Sequence, residues 1–278
     1  MSAWQFEFMQ EAALTGCLIA ATCAVLSCFL VLRGWALMGD AIAHAVLPGI
    51  VGAYALGLPL SLGAFASGLL CATATGYIKS TSRVKEDTVM GVIFTGLFAL
   101  GLVMMSRTTS DLHLDHILFG NILGLTRAQI IETFALGIPV LIIVLAKRRD
   151  LLLLSFDRAH AQALGIASRF WHHALLILLA ITIVTALKAV GLILVVALLI
   201  TPGATAHLLT KRLDAMLLVS VSSAVFAMLA GLWISFKLDA SPGSCIVLVQ
   251  SALFALAAVW GRFGHSLDVG QTSSDGKD

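Results

Sequence analysis

Charged side chains are scarce in this chain. Asp, Glu, Lys and Arg make up 12% of its 278 residues, whereas hydrophobic residues make up 59% and the mean hydropathy is +1.01. A soluble domain carries about 25% charged residues, so this chain has too few to cover a surface that faces water. The 17 basic and 15 acidic residues leave a net charge of +2, which is too balanced for a protein that binds nucleic acid. The composition excludes a soluble enzyme and predicts a polytopic membrane protein.

Cysteine is also sparse, and two familiar motifs are missing. The five cysteines lie inside predicted membrane spans and show no Cys-x-x-Cys spacing, so we interpret them as small buried apolar residues. The sequence has no Gly-x4-Gly-Lys-Ser/Thr loop to hold ATP phosphates. The N-terminal region lacks basic residues and carries Glu7 and Glu11, which argues against a cleaved signal peptide. The sequence therefore indicates neither ATP hydrolysis nor a cofactor of its own.

Long uncharged runs recur along the whole chain. A membrane-spanning helix needs about 20 apolar residues, and neither residues 12–32 nor residues 41–78 contain a charged side chain. The second run accommodates two spans, with Gly57-Leu58-Pro59 as the break between them. Further spans are predicted at 88–106, 128–146, 171–187, 189–210, 215–236 and 240–261. The sequence thus predicts an all-α, polytopic transmembrane helix bundle with nine crossings, or eight if one segment is re-entrant.

The basic residues predict which loops face the cytoplasm. Lysines and arginines concentrate at 79–85, 147–169 and 211–212 and after residue 261, and with nine crossings these regions all fall on one side. This distribution predicts an outer N-terminus and an inner C-terminus. We expect one transmembrane domain over residues 1–264, with a cytoplasmic segment at about 150–168. The Ser-, Gly- and Asp-rich residues 265–278 are expected to form a disordered cytoplasmic tail.

Two polar residues stand out in the second predicted span. Asp40 and His44 are four residues apart, so they share one face of a helix at about 6 Å along its axis. An intramembrane charge costs about 2.5–3.5 kcal/mol on insertion scales, which makes a retained carboxylate informative. Oxygen and nitrogen donors without a thiolate suit manganese, ferrous iron or zinc better than copper(I). The alternative is an Asp–His hydrogen bond inside the bundle, and the spacing leaves both interpretations open.

A single helix supplies only part of a metal coordination sphere. Asp40 and His44 offer two ligands, whereas zinc usually takes about four and manganese about six. A two-fold dimer would bring a second copy of both residues to the same axis. The predicted site therefore has enough ligands to hold a metal if two chains contribute to it.

Other polar residues are weaker candidates. His113, Asp115 and His116 lie in a predicted outer loop, where they would gate or relay a cation, and an ordinary exposed loop is the alternative. We interpret the remaining polar residues near the ends of spans as structural or interfacial. They are Glu132, His172, His173 and His207.

One cytoplasmic stretch differs from the other loops. Asp157 is placed to cap a short helix, Ala161 and Leu164 would share an apolar face, and Gly165 would end the helix. Such a helix between two spans suits a docking site for a cytoplasmic partner. A plain connecting helix is the alternative.

Several segments resemble one family over the whole chain. Residues 39–49 read GDAIAHAVLPG, which is similar to the Gly-Asp-Ala-x-Ser-His-Ala-Val-Leu-Pro-Gly signature of bacterial ABC-transporter permeases for manganese, zinc and iron. Residues 118–123 resemble the family's segment between its fourth and fifth spans, and residues 157–165 resemble its Asp-x-x-x-Ala-x-x-x-Gly coupling helix. Residues 190–206 and 239–243 resemble two late regions, and their TPGATA and DASPG forms look more like the manganese/iron branch.

The resemblance implies a fold, a function and partners. It implies a type II-like ABC importer permease in the bacterial inner membrane, paired as a homodimer or with a paralogous permease. Cytoplasmic ATP-binding subunits would hydrolyse ATP, and an extracytoplasmic metal-binding protein would deliver Mn²⁺ or Fe²⁺, with Zn²⁺ as the alternative within the family. Asp40 and His44 match the family's metal-coordinating positions, and Asp157, Ala161, Leu164 and Gly165 would couple the ATPase. Ala43 stands where the family often has Ser.

Two other classes of membrane protein are alternatives to an ATP-driven importer. A secondary transporter driven by an ion gradient should show repeated halves and a relay of intramembrane acids. Asp40 is the clear mid-span acid here, and no second half repeats it. A membrane-embedded assembly protein would leave the face that carries Asp40 and His44 without a purpose. The sequence therefore favours the ATP-driven importer over both.

Overall fold

The computed structural model of this chain describes residues 6–107, 120–156 and 167–272. These residues form ten α-helices and one short 3-10 helix, with no β-strand among them. In chain order the α-helices are α1 (Glu7–Leu32), α2 (Met38–Ala55), α3 (Leu60–Thr81), α4 (Glu86–Arg107), α5 (Arg127–Ala146), α6 (Arg148–Phe156), α7 (Ser168–Val190), α8 (Leu192–Leu209), α9 (Leu213–Leu238) and α10 (Pro242–Thr272). The 3-10 helix spans Ile122–Gly124.

Nine of these helices coincide with the nine predicted membrane segments, and α6 is an additional short helix. Eight helices in the described ranges are long and apolar enough to cross a membrane: α1, α3, α4, α5, α7, α8, α9 and α10. The ninth segment is α2, which has 18 residues and is largely buried among its neighbours. The all-α, polytopic architecture predicted from the sequence is confirmed.

Helix α1 occupies the centre of the bundle. It packs against α5, α8 and α9, while α2 packs against α3 and α4 on another side. The Ser27 hydroxyl of α1 donates to the Ile200 carbonyl at 3.1 Å and accepts from the Gly203 N–H at 3.0 Å. A Cβ atom at Gly203 would collide with Ser27. The glycine therefore lets α1 and α8 approach closely enough for one side chain to bridge two backbone groups.

The Pro and Gly positions do not all interrupt helices. Gly57-Leu58-Pro59 separates α2 from α3, as predicted. Pro202, by contrast, lies inside α8, and the helix continues through it. Pro242 is the first residue of α10, where its missing N–H would have had no helical partner. Gly191 alone separates α7 from α8, and it adopts a φ of +80° that suits glycine.

The two ends of the bundle carry different polar contacts. At the predicted inner end, Lys147 lies over the Trp171 ring at 5.6 Å and Arg148 pairs with Asp214 at 3.0 Å. At the predicted outer end, the Lys188 ammonium donates to both carboxylate oxygens of Glu132, at 2.8 and 3.0 Å. These two sets of contacts lie at opposite ends of α5 and α7.

The C-terminal helix is longer than the sequence predicts. A disordered tail is expected from residue 265, but α10 continues to Thr272. The segment after the span contains no proline, and a helix that is already nucleated extends at little further cost. Residues 273–278 lie outside the described part of the chain.

Candidate metal site

Asp40 lies in the first turn of α2, directly after the turn that joins α2 to α1. The Trp35 N–H donates to the Leu30 carbonyl, and the Met38 N–H donates to the Trp35 carbonyl at 2.9 Å. These bonds reverse the chain within a few residues, and α2 begins at Met38. A carboxylate in the first turn of a helix is stabilised by the partial positive charge of the helix N-terminus. The local backbone therefore lowers the cost of a charge at this position.

The side chains of Asp40 and His44 are in direct contact, on the one helix face that their spacing predicts. His44 Nδ1 lies 3.0 Å from the Asp40 carboxylate oxygen Oδ1 and 3.0 Å from the Asp40 carbonyl oxygen. Both oxygens accept hydrogen bonds, so Nδ1 carries the proton and Nε2 is the free ligand atom of a neutral imidazole. A metal-binding histidine commonly donates its other ring N–H to a carboxylate in this way.

The imidazole is flanked by two aromatic rings from α4. The ring centroid of His44 lies 5.9 Å from that of Phe94 and 5.5 Å from that of Phe98, with the second pair edge to face. Apolar rings fix the orientation of the imidazole and offer no competing ligand. Neither phenylalanine can be assigned to the site from the sequence, because their position relative to His44 depends on how α2 packs against α4.

Close packing surrounds α2 on its other sides. A Cβ atom at Gly49 would collide with the Gly63 backbone of α3, and one at Gly39 would lie 3.1 Å from the Leu199 side chain of α8. The Ser67 hydroxyl of α3 donates to the Ala45 carbonyl of α2 at 2.6 Å. These contacts leave little freedom for α2 to shift relative to α3 and α8.

A narrow strip at the start of α2 stays accessible. The side chains of Asp40 and His44 are 28% and 26% exposed, and Leu37, one turn earlier, is 52% exposed. The positions between them, Met38, Gly39 and 41–43, are buried. A carboxylate and an imidazole therefore face outward from a single copy of the chain, at a place where lipid would be a poor neighbour.

A single chain does not complete a metal coordination sphere in the described ranges. No group of three or more His, Cys, Asp and Glu residues comes together there. The pair formed by Asp40 and His44 would offer a metal two protein ligands, fewer than divalent metals usually take. A metal bound there would need further ligands from outside these two side chains.

The other predicted site residues divide into two groups. The outer-loop residues His113, Asp115 and His116 lie outside the described residues, and so do the coupling residues Asp157, Ala161, Leu164 and Gly165. The described polar residues near span ends occupy places that fit a structural or interfacial role. Glu132 pairs with Lys188, the His172 ring contacts Trp35 at 5.2 Å, and His207 is exposed near the inner end of α8.

Comparison with known proteins identifies the family. The chain matches the ABC 3 transport family over residues 5–261. It belongs to that family. This membership, together with the helices described above, confirms the resemblance drawn from the motifs and makes the chain a multi-pass bacterial membrane protein of the ABC transporter permease type.

Individual relatives agree with that assignment. A probable iron transport system membrane protein from Haemophilus influenzae is 50% identical over 258 residues, which cover 93% of this chain and 95% of the relative. The manganese transport system membrane protein MntB from Synechocystis is 47% identical over 255 residues, covering 92% and 83%. The solved structure of PsaBC from Streptococcus pneumoniae in complex with Fab superposes with a TM-score of 0.82 at 38% identity, covering 91% of this chain and 92% of that chain.

Proposed function

We propose that this chain is the membrane-spanning subunit of an ATP-driven importer for divalent metal cations. The observation that carries the proposal is the contact between Asp40 and His44 on the accessible strip of α2. Relatives named for iron and for manganese transport support a metal as the substrate. We place manganese or ferrous iron first, with zinc as the alternative substrate.

The metal passes a site shared by two copies of the chain. Each copy presents one carboxylate and one imidazole nitrogen, so a two-fold axis beside Asp40 and His44 assembles two oxygen and two nitrogen donors. The exposure of Asp40 and His44 in one copy supports this arrangement, because a second copy would cover groups that lipid cannot solvate. A paralogous permease with the same two residues would serve equally well.

Charge balance explains why a metal site inside the membrane needs carboxylates. A dehydrated divalent cation is strongly disfavoured in a medium of low dielectric constant unless opposite charges compensate it. Two copies of Asp40 supply two negative charges, which neutralise one dication. The imidazoles add ligands without adding charge when they are neutral. The shared site is then electrically neutral when a metal occupies it.

Energy and delivery come from other subunits. The chain has no phosphate-binding loop, so cytoplasmic ATP-binding subunits supply ATP hydrolysis and contact the segment that contains Asp157, Ala161, Leu164 and Gly165. An extracytoplasmic metal-binding protein supplies the cation at the outer face. Membership of the ABC 3 transport family supports both partners.

Metal uptake into proteoliposomes tests the proposal. We expect the permease to import Mn²⁺ or Fe²⁺ when it is combined with its ATPase, ATP and the binding protein, and to import none when the ATPase is omitted. Asp40→Asn should abolish uptake while the complex stays assembled, because Asn keeps the size of the side chain and removes its charge. Uptake without the ATPase would support a gradient-driven transporter instead.

A matched substitution controls for the loss of a carboxylate near a helix start. Asp87 lies in the first turn of α4, just as Asp40 lies in the first turn of α2. The Asp87 side chain is exposed, and it is not part of the accessible strip of α2. Asp87→Asn should keep the parent's uptake. Normal metal uptake by Asp40→Asn would remove the site from the mechanism.

A further inference from the structure

The turn between α1 and α2 is held by aromatic and cationic contacts. The guanidinium of Arg33 lies over the Trp35 ring at 5.0 Å from its centroid. The Trp35 side chain is 5% exposed and meets the His172 ring of α7 edge to face at 5.2 Å. The Trp35 backbone carbonyl also accepts a hydrogen bond from the N–H of Met38, the first residue of α2. The position of this turn therefore fixes where α2 begins, two residues before Asp40.

The same turn is bonded to α6. The Arg33 Nε–H donates to the Ser155 hydroxyl at 3.2 Å, and that hydroxyl donates to the Leu151 carbonyl one turn earlier in α6 at 2.7 Å. Leu151 is fully buried. Ser155 thus joins the end of α1 to the last turn of α6, and Leu151 anchors that turn in the core.

The place of Ser155 in the chain gives this bond its significance. Helix α6 ends at Phe156, so Ser155 lies two residues before Asp157, where the proposed ATPase-contacting segment begins. Two further polar contacts lie around the start of α6, where Lys147 meets Trp171 and Arg148 meets Asp214 of α9. The Arg33–Ser155 bond connects the end of α6 next to that segment with the helix that carries Asp40 and His44.

We propose that the Arg33–Ser155 hydrogen bond transmits movement of the ATPase-contacting segment to α2, which makes Arg33 and Ser155 positioning residues for transport. The connection runs from Ser155 to Arg33, through the turn at Trp35, and into the first turn of α2. This inference rests on the proposed function, because it requires an ATPase that acts on the segment after α6. Neither residue contacts the metal.

The test measures the number of metal ions imported per ATP hydrolysed by the complete permease–ATPase complex in proteoliposomes. Ser155→Ala removes the acceptor, and Arg33→Lys keeps the charge but removes the Nε–H donor. Each should lower the ratio about tenfold, the factor expected from losing one hydrogen bond to a charged group. ATPase association should be unchanged. The double variant should lower the ratio no further than either single variant, because both remove the same bond.

Three matched variants show whether the effect belongs to this bond. Ser155→Thr keeps the hydroxyl and should restore the parent's ratio. Ser222→Ala removes an exposed helix hydroxyl that bonds within its own helix, and Arg148→Lys alters an arginine of α6 that pairs with α9. Both should keep the parent's ratio.

Each outcome separates the two proposals. If Ser155→Ala and Arg33→Lys lower uptake and ATP hydrolysis in equal proportion, or leave the ratio unchanged, the bond is merely structural and the inference is wrong. If their effects add in the double variant, the two residues act separately and the inference is also wrong. If the parent chain neither binds the ATPase nor imports metal, the proposed function itself fails, and that result is visible before any variant is compared.

Discussion

Helices α2 and α8 share a length and a motif but differ in what they present. Each has 18 residues and a Pro-Gly pair in its interior, Pro48-Gly49 in α2 and Pro202-Gly203 in α8. In α2 the glycine admits the backbone of α3 at Gly63, and in α8 it admits the backbone and side chain of Ser27 in α1. Both pairs serve close packing, and neither ends its helix.

The difference lies on the remaining faces of the two helices. In α8 the backbone beside the Pro-Gly pair is bonded inside the bundle, since Ser27 bridges Ile200 and Gly203. In α2 a carboxylate and an imidazole face outward, one turn or more before the Pro-Gly pair. The motif therefore predicts tight packing, and the outward polar residues distinguish a candidate site from a scaffold. Substitutions of the packing residues and of the outward polar residues should therefore have different effects, and the largest effect is expected for packing.

The packing of α2 should be the most sensitive feature. Gly49→Ala places a methyl group against the Gly63 backbone, which no side-chain rotation relieves. We expect the free energy of unfolding to fall by about 3 kcal/mol or more, or the protein to fail to accumulate. Thermal unfolding in detergent measures the change. Gly52→Ala is the control, because its Cβ would meet the end of Met104 at an ordinary 3.6 Å. Equal stability of the two variants would contradict the packing described here.

The site on α2 should be sensitive in transport rather than in stability. His44→Ala removes a ligand whose ring lies against Phe94 and Phe98, and we expect uptake to fall by more than tenfold. The loss should be greater for iron or zinc than for manganese, because imidazole favours the metals later in the affinity series. Uptake assays with each cation measure this order. Unchanged uptake in His44→Ala would remove the imidazole from the metal path.

The hydrogen bonds from Ser27 of α1 to α8 should matter for stability rather than for transport. Ser27→Ala leaves the Gly203 N–H and the Ile200 carbonyl without their partner, so we expect a loss of about 1–3 kcal/mol in the free energy of unfolding. Metal selectivity should stay as in the parent, because the hydrogen bonds of Ser27 go to α8 and not to Asp40 or His44. A changed selectivity would show that α8 is not simply a scaffold.

Substitution of the ion pair at the predicted outer end of α5 and α7 should have the smallest effect. Glu132 and Lys188 form their ion pair with side chains that are 36% and 29% exposed, and such partly hydrated pairs contribute about 0–1 kcal/mol. Glu132→Gln should therefore change the midpoint of thermal unfolding only slightly. A double-mutant cycle with Lys188→Met measures the coupling. A coupling well above this range would assign the pair a role in holding α5 to α7.

The sequence predicted the helices better than their contacts. Uncharged runs locate spans because the membrane core excludes charge, and the nine predicted segments all correspond to helices. The spacing of Asp40 and His44 predicted that the two side chains share a face because the helical period is fixed. Helix α8 continues through Pro202, and the neighbouring Gly203 N–H donates to Ser27 of α1. That contact depends on a residue far away in the chain.

Tertiary neighbours account for what the sequence could not predict. The contacts between Gly49 and Gly63, between His44 and Phe98, and between Arg33 and Ser155 each join different helices. A period within one helix says which residues share a face, but not which helix covers that face. The positions of the outer-loop and ATPase-contacting residues remain predictions, since they lie outside the described ranges.

The stoichiometry of bound metal tests the central claim most directly. The purified permease–ATPase complex is equilibrated with Mn²⁺, and bound metal and protein are quantified together. A site shared by two copies of Asp40 and His44 predicts one tightly bound metal ion per two permease chains, lost in Asp40→Asn and kept in Asp87→Asn. One metal ion per chain, or a bound metal that survives Asp40→Asn, would contradict the shared site.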